Sequence, residues 1–182
     1  MNRFSHPAIQ IAGQADIPFL VHLLNSAYRG ESSRKGWTTE ADLIAGNVRT
    51  DEKNVREVMD LEGSVFLKYT DTDGSLLGCV NLQQHGSKVY LGMFSVRPEN
   101  QGGGIGKAIL QAAEEWTLSR GCTVIYMSVI SVRDELISWY ARHGYRDTGE
   151  RKFFREDGLT GKHLRPLEFL TMEKMLEKTE QA

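Results

Sequence analysis

The run Gln101-Gly102-Gly103-Gly104-Ile105-Gly106-Lys107 lies between a strand-like segment and an amphipathic helical one, and it constrains the fold more than any other stretch. Successive glycines let a backbone approach a ligand closely, and the unpaired N–H groups of a first helical turn point outward as donors. With the helix dipole they form an anion site suited to a pyrophosphate, and Lys107 adds a cation at its rim. Each hydrogen bond to a charged oxygen contributes roughly 1.5–3 kcal/mol, so a handful of such donors anchors a nucleotide. Two better-known phosphate loops do not fit. The triphosphate loop GxxxxGK[ST] meets Gln101 where its first glycine belongs and Ala108 where its metal-binding hydroxyl belongs, and the dinucleotide pattern GxGxxG fails at Ile109.

The surrounding pattern sets the architecture. Residues 8–12 read as a short strand. Asp16 predicts a helix cap with Pro18 in the first turn, and Ile17, Leu20, Val21, Leu24 and Tyr28 share one face until Gly30 ends the helix. Residues 29–37 read as a polar loop, and Thr38 or Thr39 opens a short helix holding Leu43 and Ile44. Another helix starts near Thr50 and presents Val55, Val58 and Met59. Strands 64–69 and 76–82 flank the hairpin signal Asp71-Thr72-Asp73-Gly74, and a third strand spans 88–96. An antiparallel meander therefore precedes the glycine loop, which is unlike the opening of a dinucleotide-binding fold. After the loop, Ile105, Ile109, Ala112 and Trp116 line a helix, and 123–129 is nearly all apolar, as in the middle of a sheet. Leu136, Tyr140 and His143 share a face of a last helix stopped by Gly144, and strands 145–154 and 167–172 finish the sheet. Helices, a meander, one βαβ unit and a final hairpin predict a mixed α/β (α+β) fold, read as one domain over residues 1–182.

The net charge of −2 offers no basic excess for nucleic acid. No stretch approaches the ~18 apolar residues of a membrane span, and residues 1–10 carry no secretory signal pattern, so a cytoplasmic protein is expected. Cys79 and Cys122 stand in apolar surroundings with no metal-ligand spacing, and both read as buried, reduced thiols.

Two motifs in order resemble the GNAT N-acetyltransferase superfamily. One is Gln101-x-x-Gly104-x-Gly106, preceded by Val96-x-Pro98 and followed by an amphipathic helix; the other is Glu135 to Tyr145, ending Tyr140-x-x-x-Gly144-Tyr145. The resemblance covers roughly residues 8–174. It implies acetyl-CoA as acyl-donor substrate and two splayed central strands whose cleft admits the pantetheine arm. Carried over, the arm pairs with the backbone of Phe94, Ser95 and Val96, and the pyrophosphate meets Gln101 and the amides from Gly102 through Gly103, Gly104, Ile105 and Gly106 to Lys107. A backbone N–H at or near Phe94 polarises the thioester carbonyl, and Tyr140 protonates the departing thiolate. Two positions depart from the pattern: Arg133 stands where an Asn usually contacts the pantetheine, and Ser128 where some relatives carry a catalytic Glu. The general base is therefore open, with Glu31, His163 and Glu168 as candidates. His143, at a helix C-terminus, reads as complementing the dipole.

Acceptor selection in that superfamily comes from the segment between the first two helices and from the final hairpin. Here these offer Arg29, Glu31 and Trp37 on one side and Phe153, Phe154 and His163 on the other. Such a lining suits a small amino-acid-like amine, with Arg29 or Arg34 as partner of its carboxylate. A peptide N-terminus or lysine side chain is the alternative acceptor. A non-catalytic CoA-binding module and a triphosphate binder are the alternative functions. Monomer and homodimer both stay open.

Overall fold

The computed structural model describes residues 4–178. In chain order these form β1 (Ile9–Ile11), α1 (Ile17–Tyr28), α2 (Gly30–Ser33), β2 (Ile44–Ala45), α3 (Glu52–Asp60), β3 (Ser64–Thr70), β4 (Leu76–His85), β5 (Lys88–Val96), α4 (Ile105–Ser119), β6 (Val124–Ile130), α5 (Asp134–Arg142), β7 (Arg146–Phe154), β8 (Lys162–His163) and β9 (Leu167–Met175). Seven strands make one sheet in the order β1-β3-β4-β5-β6-β9-β7, antiparallel throughout except for β5 and β6. The mixed α/β fold with its meander and single parallel crossover is thus as the patterning predicts. Helices α4 and α5 cover one face through Ile109, Ala113, Trp116 and Tyr140, while α1 and α3 cover the other through Ile17, Leu20, Leu24 and Val55.

Local readings fail in three places. Asp16 does not cap α1: its carboxylate accepts instead from Gly13 N at 2.8 Å and pairs with Lys68 at 3.0 Å, because Pro18 leaves little for it to cap. The loop 29–37 contains the helical turn α2 and buries Arg29 and Ser33. The expected helix around Leu43 and Ile44 is a turn leading into β2, which pairs with β8. There Ile44 is fully buried against Ile130 and Leu167, a tertiary contact that overrides helical spacing.

The feature that positions the site is the divergence of β5 from β6. Their pairing runs only from Lys88–Val124 to Tyr90–Tyr126, whereas β6 stays paired to β9 as far as Ile130. Just beyond the last β5–β6 pair, β5 carries an extra residue against β4: Asn81 faces Gly92 and Cys79 faces Ser95. Met93 sits in that bulge at φ +47°, an unfavourable backbone for a side-chain-bearing residue. A bulge bends its strand and sharpens the local twist. Residues 91–96 of β5 consequently have no strand partner on the β6 side, and a cleft opens between the two strands.

Candidate active site

The glycine loop forms one end of the cleft. Gly102 and Gly104 have φ of +86° and +88°, a conformation glycine adopts without strain. A Cβ at either would meet nothing within 4 Å, so the loop faces open space. The first backbone bond of the turn is Ala108 N to Gly104 O at 3.1 Å, and the amides of Gly102, Gly103, Gly104, Ile105, Gly106 and Lys107 find no acceptor among the described residues. Gly106 faces the aromatic wall: a Cβ there would stand in van der Waals contact with Trp139 at 3.4 Å and Phe94 at 3.7 Å.

From the loop a cavity of about 700 Å³ runs along β5 and α5, walled by Phe94, Val96, Leu136 and Trp139, with Lys107 and Arg142 among its lining residues. Its volume, apolar wall and cluster of unpaired amides fit a nucleotide pyrophosphate followed by an extended arm. Ser95 Oγ, buried and without a partner, lies in the same wall. A second cavity of about 330 Å³ opens on the other side of the splayed strands, lined by Arg29, Glu40, Arg49, Arg133, Asp157 and Phe154 among others. Tyr28, Phe94, Leu136 and Tyr140 line both cavities, so the two meet there.

Tyr140 is 4% exposed, and its ring packs 5.2 Å from Trp139, 5.8 Å from Tyr145 and 6.3 Å from Phe94. No group among the described residues bonds its hydroxyl. Burial, and then the nearby Tyr28, hold that hydroxyl well above the ordinary tyrosine value of 10.0, so it keeps its proton. The hydroxyl of Tyr28 donates to the Phe94 carbonyl and ties α1 to the bulged strand.

Several residues singled out in the sequence occupy other positions. Gln101 works inside the protein: its Oε1 accepts from Trp37 N at 2.8 Å, while its Nε2 donates to Thr38 Oγ1 at 2.7 Å and to Val96 O at 3.0 Å. It clips the segment after α2 to the end of β5. Arg133 donates to Glu40 Oε2 at 3.0 Å and to the Thr38 carbonyl at 2.6 Å, and it lines the second cavity, not the first. Arg29 is 2% exposed and bonds Glu40 Oε1 at 2.6 Å and the Thr160 carbonyl at 3.0 Å. It belongs to a buried triad, not to a free loop. Burial pushes the Glu40 carboxyl upward, but Arg133, Arg49 and Arg29 together outweigh this and hold it below 4.5.

Glu31 is exposed and paired with Arg34, itself bound to Asp42; neither lines a cavity. Trp37 lines the first cavity, with its ring 6.4 Å from Trp139, and so sits away from the second. Phe153 is 61% exposed, whereas Phe154 turns inward and stacks 4.2 Å from Phe169; adjacent strand residues face opposite ways, and the inward one lines the second cavity. Glu168 is exposed near Arg151, and the ring of His163 packs on Phe154, its Nε2 buried without a partner and outside both cavities. Ser128 lines the second cavity. His143 lines the first and donates from Nδ1 to the Trp139 carbonyl at 2.7 Å. Sequence patterns place Tyr28 on the apolar face of α1 and at the start of the acceptor segment 28–37 but give it no role, and nothing local distinguishes Glu40 or Arg49.

A mixed sheet splayed beside a glycine loop, with two cavities meeting at the buried Tyr28 and Tyr140, is the architecture of a group-transfer fold. The sequence model of the acetyltransferase (GNAT) family matches residues 18–145, and the chain belongs to that family. It is an N-acetyltransferase whose acyl donor is acetyl-CoA. Among curated relatives, the aminoglycoside N(6')-acetyltransferase type 1 of Stenotrophomonas maltophilia is 28% identical over 116 residues, 57% of this chain and 73% of that protein. The thialysine N-epsilon-acetyltransferase of Sus scrofa is 29% identical over 82 residues, 45% of this chain, and the match spans only 48% of its length. A Salmonella typhimurium structure with its cofactor acetyl-CoA aligns over 98% of both chains with TM-score 0.67 and 19% identity. None of the helices among the described residues is long and apolar enough to cross a membrane.

Proposed function

We propose that the chain acetylates the primary amine of a small amino-acid-like metabolite by direct attack in a ternary complex. The observation that carries this reading is the position of Tyr140, buried, unpartnered at its hydroxyl, and shared by a donor-sized and an acceptor-sized cavity. Acetyl-CoA supplies an activated thioester carbonyl. The amides from Gly102 to Lys107 hold its pyrophosphate, and the unpartnered edge of β5 from Phe94 to Val96 holds its arm. An amide at Phe94 faces the carbonyl oxygen and stabilises the charge developing there. As the amine nitrogen bonds the acetyl carbon and the carbon–sulfur bond breaks, Tyr140 gives its proton to the sulfur.

The raised pKa of Tyr140 suits an acid. Its hydroxyl is protonated at every working pH, and the same dry surroundings raise the affinity of the thiolate for a proton. The amine loses its own proton to water, from which Tyr140 is restored. Neither carboxylate of the second cavity named above is a ready base. Glu40 is held low by its arginines; burial pushes Asp157 up, but the amides of Thr160 and Leu159 outweigh it and hold that carboxyl low too. Direct attack is supported by the position of the two cysteines, both buried and lining neither cavity, with the Cys79 thiol pushed up to about 12 by burial. The test is CoA release with amino acids, polyamines, aminoglycosides and short peptides as acceptors. Turnover is expected with small amines; turnover confined to peptides would replace the acceptor, and binding of acetyl-CoA without turnover on any amine would leave a binding module.

A further inference from the structure

The second cavity is walled by three arginines, of which two are fully engaged. Arg29 and Arg133 grip the two oxygens of Glu40 at 2.6 and 3.0 Å, and each also donates to a backbone carbonyl. Arg49 differs. Its guanidinium lies 4.6 Å above the Tyr28 ring, and no hydrogen bond or ion pair among the described residues engages it. Stacking on an aromatic face fixes a guanidinium in place while leaving its in-plane N–H donors unused. With two carboxylates, Glu40 and Asp157, against three arginines, the wall still carries a net positive charge in a partly dry site, where an incoming anion is bound more strongly than in water.

We propose that Arg49 is the specificity-determining residue of the acceptor site and binds the carboxylate of an α-amino acid whose amine is acetylated. This rests on the reading of the chain as an amine acetyltransferase. The spacing favours an α-amine. Arg49 stands over the ring of Tyr28, and the hydroxyl of that ring reaches the Phe94 carbonyl at the junction of the cavities. The anion partner and the reacting region are thus about one aromatic ring apart, the reach of a carboxylate and the amine on its neighbouring carbon. A long polyamine or an amino sugar offers no anion there. Of the arginines first expected in this role, Arg29 is committed to a buried ion pair, and Arg34 pairs with Glu31 and Asp42 on the surface and lines neither cavity.

The experiment measures kcat/KM for a set of L-amino acids, each against its own primary amide, with diamines and aminoglycosides alongside, on the full chain and on Arg49→Met and Arg49→Lys. A bidentate charge-assisted contact predicts that acids exceed amides by about 10²-fold in the unaltered protein. Arg49→Met should bring the acid down to the level of the amide with acetyl-CoA Kd unchanged, and Arg49→Lys should keep part of the preference. Equal rates on acid and amide, preference for amines lacking a carboxylate, or an equal loss on both substrates in Arg49→Met overturns the assignment while leaving N-acetylation standing. No CoA release with any amine would instead remove the reading on which it rests.

Discussion

The Tyr28 hydroxyl donates to the carbonyl of Phe94, 66 residues away, and so fastens the last turn of α1 to the bulge from which the cleft opens. Tyr28→Phe removes the donor and leaves a part-buried carbonyl without its partner, a loss of about 1–3 kcal/mol in stability. Because the freed strand is the one proposed to hold the donor's arm, the KM for acetyl-CoA should rise severalfold. Thermal unfolding and donor-saturation kinetics check the two effects; an unchanged KM would show that the bulge holds without its clamp.

Glu40→Gln should be the most damaging conservative change in the acceptor wall. It strips the charge from between Arg29 and Arg133, and breaking a buried ionic network of this kind costs about 3–5 kcal/mol. The pH dependence has a defined sign. A carboxyl held below 4.5 in the folded chain stabilises it fully above that value, and the stabilisation is lost as pH falls through the lower folded value. Melting temperatures followed from pH 7 downward should drop more steeply in the unaltered protein than in Glu40→Gln, and only below about pH 4.5.

At Gly104 the φ of +88° and the empty space ahead of the Cα separate fold from binding. Gly104→Glu costs about 1–2 kcal/mol for the left-handed backbone. Its carboxylate would stand in the proposed pyrophosphate site, so acetyl-CoA affinity should fall by at least about 10²-fold. Calorimetry beside a melting curve distinguishes this from simple unfolding.

The two cysteines should be chemically silent in the native state. Cys79 and Cys122 are 0% and 2% exposed, and the thiol of Cys79 is raised to about 12, so little thiolate forms at pH 8. Iodoacetamide should label neither until the chain is unfolded. Intact mass after acetyl-CoA alone should show no acetyl adduct, and an adduct would replace direct attack by a two-step transfer.

What the sequence made legible follows range. The glycine loop, the meander and α4 are written in local signals, namely positive-φ glycines, a turn tetrapeptide and helical spacing, and all three form where predicted. Tyr140 is found by its motif and lies at the junction of the cavities. The acceptor wall is written in pairings that spacing does not encode. Arg29 meets Glu40 across 11 residues and Arg133 meets it across 93, which turns an apparent loop cation into a buried one and leaves Arg49 as the arginine without an ion pair in that wall. Phe153 and Phe154 show how one residue of strand phase decides which side chain reaches the cavity. Gln101 shows the same limit: the motif marks its position, but only the folded chain reveals that its amide faces Thr38 and Val96.

The proposed role of Tyr140 is tested most directly by measuring kcat and acetyl-CoA Kd together on Tyr140→Phe. The hydroxyl has no partner to lose, so the phenylalanine keeps the packing against Trp139 and Tyr145 and the melting temperature should not move. A fall in kcat of about 10²-fold is expected, the usual scale of a positioned acid, with Kd within about twofold of the unaltered protein. An unchanged kcat, or equal losses in kcat and affinity, would contradict that role and leave Tyr140 as a packing residue between the two cavities.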